Sequence, residues 1–526
     1  MKTKGVFWLI IILAFILRFY KLGEVPVSLN WDEVSNAYNG FSILKTGRDE
    51  YGSFLPIFNR SFDDYKPPIY MYLNTITVGI LGLNTLAVRL PSAFFGFLSI
   101  SLIYFLTKSI FDKSDKKELI ALLCMFLFAI FPWHIHFSKV GLEANVGLFT
   151  SIAFVNFFLY GLKNNKYLIL SALFYSAGLY SYHAQRIFLP LFLIILIFLF
   201  RKKIAQISKK FTITFLFLAF AASISLFTLL PQKAVFSRLE SSQNSLLENQ
   251  KMEDPIQVFK STNSFVNNKY IETGSKYLEN YLSNFSPNFL FIEGDGNLRH
   301  HIASNGLIPL FYLPILLIGF YLIFHYLDKR KTLLITWLLL APLPAVPVFP
   351  VPHAIRSSLM MVPVVIICGF GLYTIHSRKQ WKSIVTLATG IWITISLALY
   401  MHNYYTHYAR HFAKDWQYGY KEAAIESERL KNNFQKVSVD GDFEQAHIFW
   451  LFYTRYNPQS YQKYGNRGQF DKFYFGQKDS DVQLSKNESE LFVSFAQNFP
   501  ENFKVLKTIY YPDKSAAIKI GHYENQ

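Results

Sequence analysis

Long apolar runs separated by short Lys/Arg clusters occupy the first four hundred residues, and the pattern then changes character. A helix needs about 20 apolar residues to cross the hydrocarbon layer, where every backbone amide must be paired internally, so the runs predict membrane helices. They fall near 5–21, 90–108, 119–133, 146–162, 167–183, 187–200, 211–230, 306–326, 332–350, 357–375 and 383–400, eleven in all. With the N-terminus in the cytoplasm, Lys108/Lys113/Lys116/Lys117, Lys163/Lys166, Arg201/Lys202/Lys203/Lys209/Lys210, Lys329/Arg330/Lys331 and Arg378/Lys379/Lys382 share the side of Lys2 and Lys4. This is the arrangement the positive-inside rule requires. A further apolar stretch at 69–83 would invert the downstream sidedness if it crossed. It is interrupted by Asn74 and Gly82 and preceded by Pro67-Pro68, so it is expected to lie in the interface or dip partway. No small-residue cleavage site precedes Arg18, so the first run is expected to be a retained span rather than a signal peptide.

This topology predicts a transmembrane domain over 1–400, with a long first outer loop at 22–89 and a second large outer loop at 231–305. An extracytoplasmic domain follows over 401–526. There the alternating runs starting at Lys436, Leu491 and Ala517 read as strands and Tyr418 to Leu430 as a helix, so a small α/β appendage is expected. The expected class is thus an all-α polytopic membrane protein with an α/β tail. Composition agrees: 52% hydrophobic and 18% aromatic residues are too many for a set of soluble domains. The net charge of +17 does not point to nucleic acid, because the basic residues fall in loop clusters rather than in a groove or tail. Cys124 and Cys368 both lie in apolar runs and imply no disulfide framework.

Charged groups near hydrocarbon cost several kcal/mol unless water or partners satisfy them, so acids at span ends are informative. Asp32-Glu33 follow Asn30-Trp31 just beyond the first span, where the Trp is expected to anchor an amphipathic helix running through Tyr38 and Phe41. The pair fits either a helix N-terminal charge or a catalytic carboxylate. Asp63, Asp64 and Lys66 stand immediately before two prolines, which stiffen the turn, and Lys66 fits either a snorkelling side chain or a phosphate contact at headgroup level. In Pro132 to Asn145, His134-x-His136 alone is a weak metal pattern, and Glu143 sits at the start of the fourth span in position to orient a hydroxyl. His183 and Arg186, Asn297 to His301, and His353 with Arg356 lie at span ends on the same expected face. No metal site is read from these residues and no cofactor is called for. A divalent cation is compatible with them but not indicated.

Taken together, Trp31-Asp32-Glu33, Lys66-Pro67-Pro68, Arg89-Leu90-Pro91-Ser92-Ala93 and Phe137-Ser138 through Glu143 resemble the GT-C superfamily of membrane glycosyltransferases. Within it, the chain is similar to family 39, the protein O-mannosyltransferase and aminoarabinose-transferase-like group, over residues 1–400. The resemblance implies transfer of a sugar from a polyprenyl-phosphate-linked donor to an extracytoplasmic hydroxyl of a lipid, glycan or protein, with inversion. Asp32 matches the general base, with Glu33 beside it, and Lys66 the residue that contacts the lipid phosphate. Arg356 and Arg186 are further candidates for that phosphate, and Asp63, Asp64, His183, His301 and His353 for supporting roles. Aminoarabinose transferases carry an acid immediately before the matching lysine, where this chain has Tyr65, so their metal contact is not expected here. The implied setting is a multi-pass protein of the cell membrane, in contact with membrane lipids. The competing readings are block transfer of the oligosaccharyltransferase kind, disfavoured by the small tail, and a polytopic transporter, disfavoured by spans nearly free of acids.

Overall fold

The computed structural model describes residues 2–62, 64–229, 269–302, 305–325, 328–377, 382–477 and 489–524. It comprises two compact units. One holds Met1–Tyr20, Ser92–Ser138 and Leu142–Met401, and the other Lys21–Pro91, Lys139–Gly141 and His402–Gln526. The long first loop therefore belongs with the C-terminal tail in a single compact body.

The first unit is helical. Each of the eleven expected runs carries a helix: α1 (Lys2–Phe19), α4 (Thr85–Ile110, which continues from the other unit), α5 (Lys117–Ala129), α7 (Glu143–Gly161), α8 (Tyr167–Leu179), α9 (His183–Ile204) and α10 (Lys209–Leu229), then Tyr312–His325, Lys329–Leu340, Met361–Ser377 and Lys382–His402. Among the described residues four helices are long and apolar enough to cross a membrane, or five if α5 and the short α6 (Pro132–Lys139), bent by 55°, count as one broken span. Arg18 explains how that bend is tolerated. Wholly buried, it donates to the carbonyls of Phe128 (3.3 Å) and Ala129 (3.0 Å) at the end of α5 and lies 2.7 Å from Nδ1 of His134 in α6. A cation placed on the last carbonyls of a helix satisfies acceptors that the break leaves open.

The second unit combines α2 (Trp31–Thr46), a hairpin of β1 (Asn59–Ser61) and β2 (Asp64–Lys66), α3 (Ile69–Leu81) and a six-stranded sheet. The sheet order is β4-β5-β3-β6-β8-β7, with β3 (Lys436–Asp440) parallel to β5 (Phe473–Gln477) and to β6 (Glu490–Phe495), and β8 (Ala516–Tyr523) antiparallel to β6 and to β7 (Phe503–Tyr510). The three expected strands are present as β3, β6 and β8, and the expected helix as Tyr420–Leu430. β4 (Gln469–Phe470), β5, β7 and the helices Ala446–Tyr453 and Pro458–Tyr464 were not foreseen. Helix α3 has 13 residues, about 20 Å of length at 1.5 Å per residue, less than the hydrocarbon thickness.

The amphipathic surface helix expected after Trp31 needs correction. Ten of the sixteen residues of α2 are buried, on every face, including Glu33, Ser35, Asn36, Asn39 and Ser42. Its polar side chains are not solvated but bonded. Ser35 meets the Ser61 hydroxyl at 2.9 Å, Asn36 accepts from the Asn59 amide at 3.1 Å, Asn39 donates to Glu50 at 3.0 Å, and Ser42 donates to the Arg48 carbonyl at 2.7 Å. Buried polar groups persist where partners of this kind exist. The crossing with α3 is close: a Cβ at Gly40 would stand 2.8 Å from the Thr75 nitrogen.

Candidate active site

In the second unit, the first turn of α2 presents the two acids and fixes them differently. Asn30 caps the helix, its Oδ1 accepting from the amides of Asp32 (2.9 Å) and Glu33 (3.1 Å), while Glu33 Oε2 accepts from the Asn30 amide at 3.0 Å, completing a capping box. The turn is tied to the tail where the Trp31 amide donates to Gln417 Oε1 at 3.0 Å. Glu33 Oε1 accepts from Arg89 Nε at 3.0 Å and from the Gly141 amide at 2.7 Å. Both members of the Glu33–Arg89 pair are 0% exposed. Arg89 spends its other donors on the carbonyls of Pro26 (2.8 Å) and Ser28 (2.5 Å), so the buried charges are well bonded. A Cβ at Gly141 would lie 3.1 Å from the Glu33 side chain, so a residue without a side chain suits that close approach.

Asp32 faces the other way. Its carboxylate is 44% exposed and receives the ammonium of Lys66, whose side chain is only 6% exposed. Lys66 ends β2, paired in register with Asn59 of β1, and its ammonium lies over the Phe62 ring, 5.8 Å from the centroid. The ladder fixes the backbone on which the lysine sits, and the following prolines stiffen its exit. Tyr65 stands opposite Arg60 in the hairpin, so no acid is present at the position where the aminoarabinose transferases carry one. Asp64 is half-buried and its carboxylate accepts from the Tyr65 amide at 2.8 Å. Asp63 lies outside the described residues.

In the first unit, three segments carrying sequence candidates converge through a small apolar cluster of Ala144, Tyr182 and Ala184, with Ile355 packed against it. These neighbours bracket Glu143 in the first turn of α7, His183 in the first turn of α9, and Arg356. Arg186 NH1 approaches His183 Nδ1 at 3.1 Å. Arg356 donates to the Val348 carbonyl and lies 3.5 Å and 3.4 Å from those of Phe349 and Pro350. Nearby, Asp295 and His300 are buried, with Asp295 Oδ2 2.7 Å from His300 Nδ1, and the His353 ring lies beside that of His300, tilted by 38° with centroids 4.8 Å apart. His301 stands next to them with Nε2 2.8 Å from the Asp295 carbonyl oxygen and Nδ1 3.2 Å from that of Ile302. Burial pushes the Asp295 carboxyl up, but the adjacent His300 charge and hydrogen bond, then His353 and the Ala354 amide, outweigh it and hold the group well below the usual carboxylate range.

Sequence reasoning missed two participants. Arg89 was quoted as part of a motif but not as the partner of Glu33; a lone Arg opening an apolar run was the available signal. Asp295 was passed over although it lies five residues before His300, between Gly294 and Gly296.

Residues 65–226 match the family described as dolichyl-phosphate-mannose-protein mannosyltransferase. No curated protein sequence matches the chain. Among solved structures, ArnT from Cupriavidus metallidurans in the apo state superimposes with a TM-score of 0.57 at 11% identity, over 99% of this chain and 98% of ArnT. ArnT bound to undecaprenyl phosphate gives a TM-score of 0.55 at 12% identity, over 98% of each chain. The oligosaccharyltransferase AglB from Archaeoglobus fulgidus gives 0.49 at 13% identity, over 94% of this chain and 69% of AglB. The chain is a membrane protein with the GT-C glycosyltransferase fold, and residues 65–226 carry the mannosyltransferase family pattern.

Proposed function

We propose that this protein transfers a sugar from a polyprenyl-phosphate carrier to an acceptor hydroxyl on the extracytoplasmic side, with inversion, using Asp32 as general base. The observation that carries this reading is the half-exposed Asp32 carboxylate paired with the nearly buried Lys66 ammonium. In the proposed step the acceptor O–H gives its proton to Asp32 while the oxygen attacks the anomeric carbon. The anomeric carbon–oxygen bond to phosphate breaks, and the phosphate leaves with the bonding pair. Lys66 offsets the charge that develops on the leaving phosphate, and its shift toward the donor frees Asp32 to accept the proton. Glu33, sealed by Arg89, holds the turn that presents Asp32. ArnT, which shares the fold, is known bound to undecaprenyl phosphate, and this supports a donor of that kind. Arg186 and Arg356 remain candidates for contacts to the donor, and Glu143 for the acceptor. A tail facing outward and an N-terminus facing the cytoplasm belong to the same proposal.

The test is a transfer assay on the purified full chain in detergent with polyprenyl-phosphate-hexose donors. Asp32→Asn keeps shape and removes basicity, so it should bind donor normally and lose about 10²–10⁴-fold in turnover. Lys66→Ala should weaken donor binding and lower turnover together. Near wild-type transfer by Asp32→Asn removes Asp32 from the mechanism.

A further inference from the structure

Outside the Asp32–Lys66 site, the described residues contain one group of three or more His, Cys, Asp or Glu side chains with metal-ligand geometry: Asp295, His300 and His353, whose ligand atoms all lie within 4.8 Å of one another. We propose that these three residues form a divalent transition-metal site of the zinc kind, joining the end of the second large outer loop to the segment before the helix Met361–Ser377.

The chemistry of the donors points to such an ion. One carboxylate and two imidazoles are borderline ligands that suit zinc, and three protein ligands leave a position for water. The surroundings hold the donors as outer-shell contacts do. Asp295 Oδ1 accepts from the Asn297 amide at 3.0 Å and Oδ2 from the Ala354 amide at 2.7 Å, which fixes the carboxylate from both segments. The turn bearing His300 is pinned where the Arg299 carbonyl lies 2.7 Å from His136 Nε2. The segment bearing His353 is stitched to the same loop where Ser357 donates to Asn284 at 2.6 Å and Asn280 donates to the Val346 carbonyl at 3.1 Å.

The geometry needs little adjustment. Metal–ligand bonds of about 2.0–2.2 Å set ligand atoms roughly 3–3.5 Å apart. Asp295 and His300 are already at 2.7 Å, so the ion replaces the proton they share and spreads them slightly, while His353, whose ligand atom lies within 4.8 Å of theirs, moves inward. His301 is not a ligand: both its nitrogens face backbone carbonyls, and a Cβ at Gly294 would stand 2.7 Å from its ring.

The test reads binding and is independent of sugar transfer. The full chain, purified in detergent and stripped with EDTA, is titrated with Zn²⁺ calorimetrically and with Co²⁺ by visible absorption. One equivalent should bind, and Co²⁺ should give the intense bands of a low-coordinate site. His353→Ala and His300→Ala should each lose at least tenfold in affinity, and His301→Ala should bind as wild type does. Zn²⁺ should raise the melting temperature of wild type and of His301→Ala but not of His353→Ala, so a variant that merely misfolds is recognised by its metal-free melt. If such a variant melts abnormally, His353→Gln takes its place. Absence of saturable binding by wild type, or equal binding by His353→Ala, overturns the proposal.

Discussion

Asp32 and Glu33 are neighbours on one helical turn, each paired with one cation, yet their surroundings give them opposite characters. Glu33 is enclosed with Arg89, both wholly buried, and every bond it makes is to a fixed group: a guanidinium and two backbone amides. Asp32 opens to solvent on one side and holds a lysine, a compact charge on a flexible stem, on the other. A buried pair with a planar guanidinium locks a backbone. A half-exposed carboxylate held by a nearly buried ammonium keeps one side open to other partners. Under the proposed mechanism two adjacent carboxylates divide the work of holding a site and of reacting in it, and burial rather than residue type makes the division.

The largest effect should fall on the enclosed pair. Removing one partner leaves an uncompensated buried charge, which costs about 3–5 kcal/mol. Arg89→Leu should therefore lower stability by about that much in a detergent melt, and Glu33→Gln by less, since the amide can still accept from Arg89 and Gly141. Asp32→Asn should cost less than Arg89→Leu, because the Asp32 side is half exposed and water there can take over part of the contact to the nearly buried Lys66 ammonium. If Arg89→Leu and Asp32→Asn melt alike, the two pairs do not differ in the way described.

What the sequence showed of this contrast, and what it did not, follows from the range of the interactions. The Asp32-Glu33 pair, its placement after Asn30 and the nearby Lys66 were legible, because capping and loop position are local. The lock was not, since Glu33 meets Arg89 and Gly141 across 56 and 108 residues. The helical runs were legible from apolar length. The burial of α2, expected only as an amphipathic helix through Tyr38 and Phe41, was not, because Ser35, Asn36, Asn39 and Ser42 are bonded to a hairpin and loop that no periodicity announces. In the tail, the strands with clear alternation were found, while β5, lying parallel to β3 inside the sheet, carries a nearly continuous aromatic run with no alternation to read.

A third acid in the same unit is expected to give an effect of intermediate size. Glu50 is buried, accepts from Asn39 at 3.0 Å, and its Oε2 has no hydrogen-bond partner among the described residues. Burial raises its pKa from 4.5 to about 7; the Asn39 bond and the Arg467 and Arg60 charges act downward, and Asp49 adds to the rise. A carboxyl whose folded pKa is raised favours folding while protonated, so its contribution is fully present below 4.5 and is lost as pH rises toward and through 7. Glu50→Gln should therefore match wild type near pH 4.5 and exceed it at pH 8, by on the order of 3 kcal/mol. Melting curves across that range check it, and parallel pH profiles for the two proteins would show that Glu50 is not the group responsible. Unlike Glu33, this acid has no cation bonded directly to it among the described residues, so burial outweighs the bond and charges that act against it.

The smallest expected effect tests the residue the two active-site acids share. Asn30 accepts from the amides of both Asp32 and Glu33, and Glu33 returns a bond to the Asn30 amide. Replacing a cap of this kind by Ala costs about 1 kcal/mol, and Ser or Asp restores most of it. If the cap serves only the helix, Asn30→Ala should melt slightly lower and transfer sugar normally once folded. If it also orients Asp32, turnover should fall while donor affinity stays unchanged, because Lys66 is held by the hairpin and not by the cap. The expected result is the second: a modest fall in kcat with unaltered donor binding, reversed in Asn30→Ser. A fall in donor affinity instead would mean that the cap positions the lysine as well, and the separation between a fixed scaffold acid and a reacting one would have to be redrawn around the whole turn.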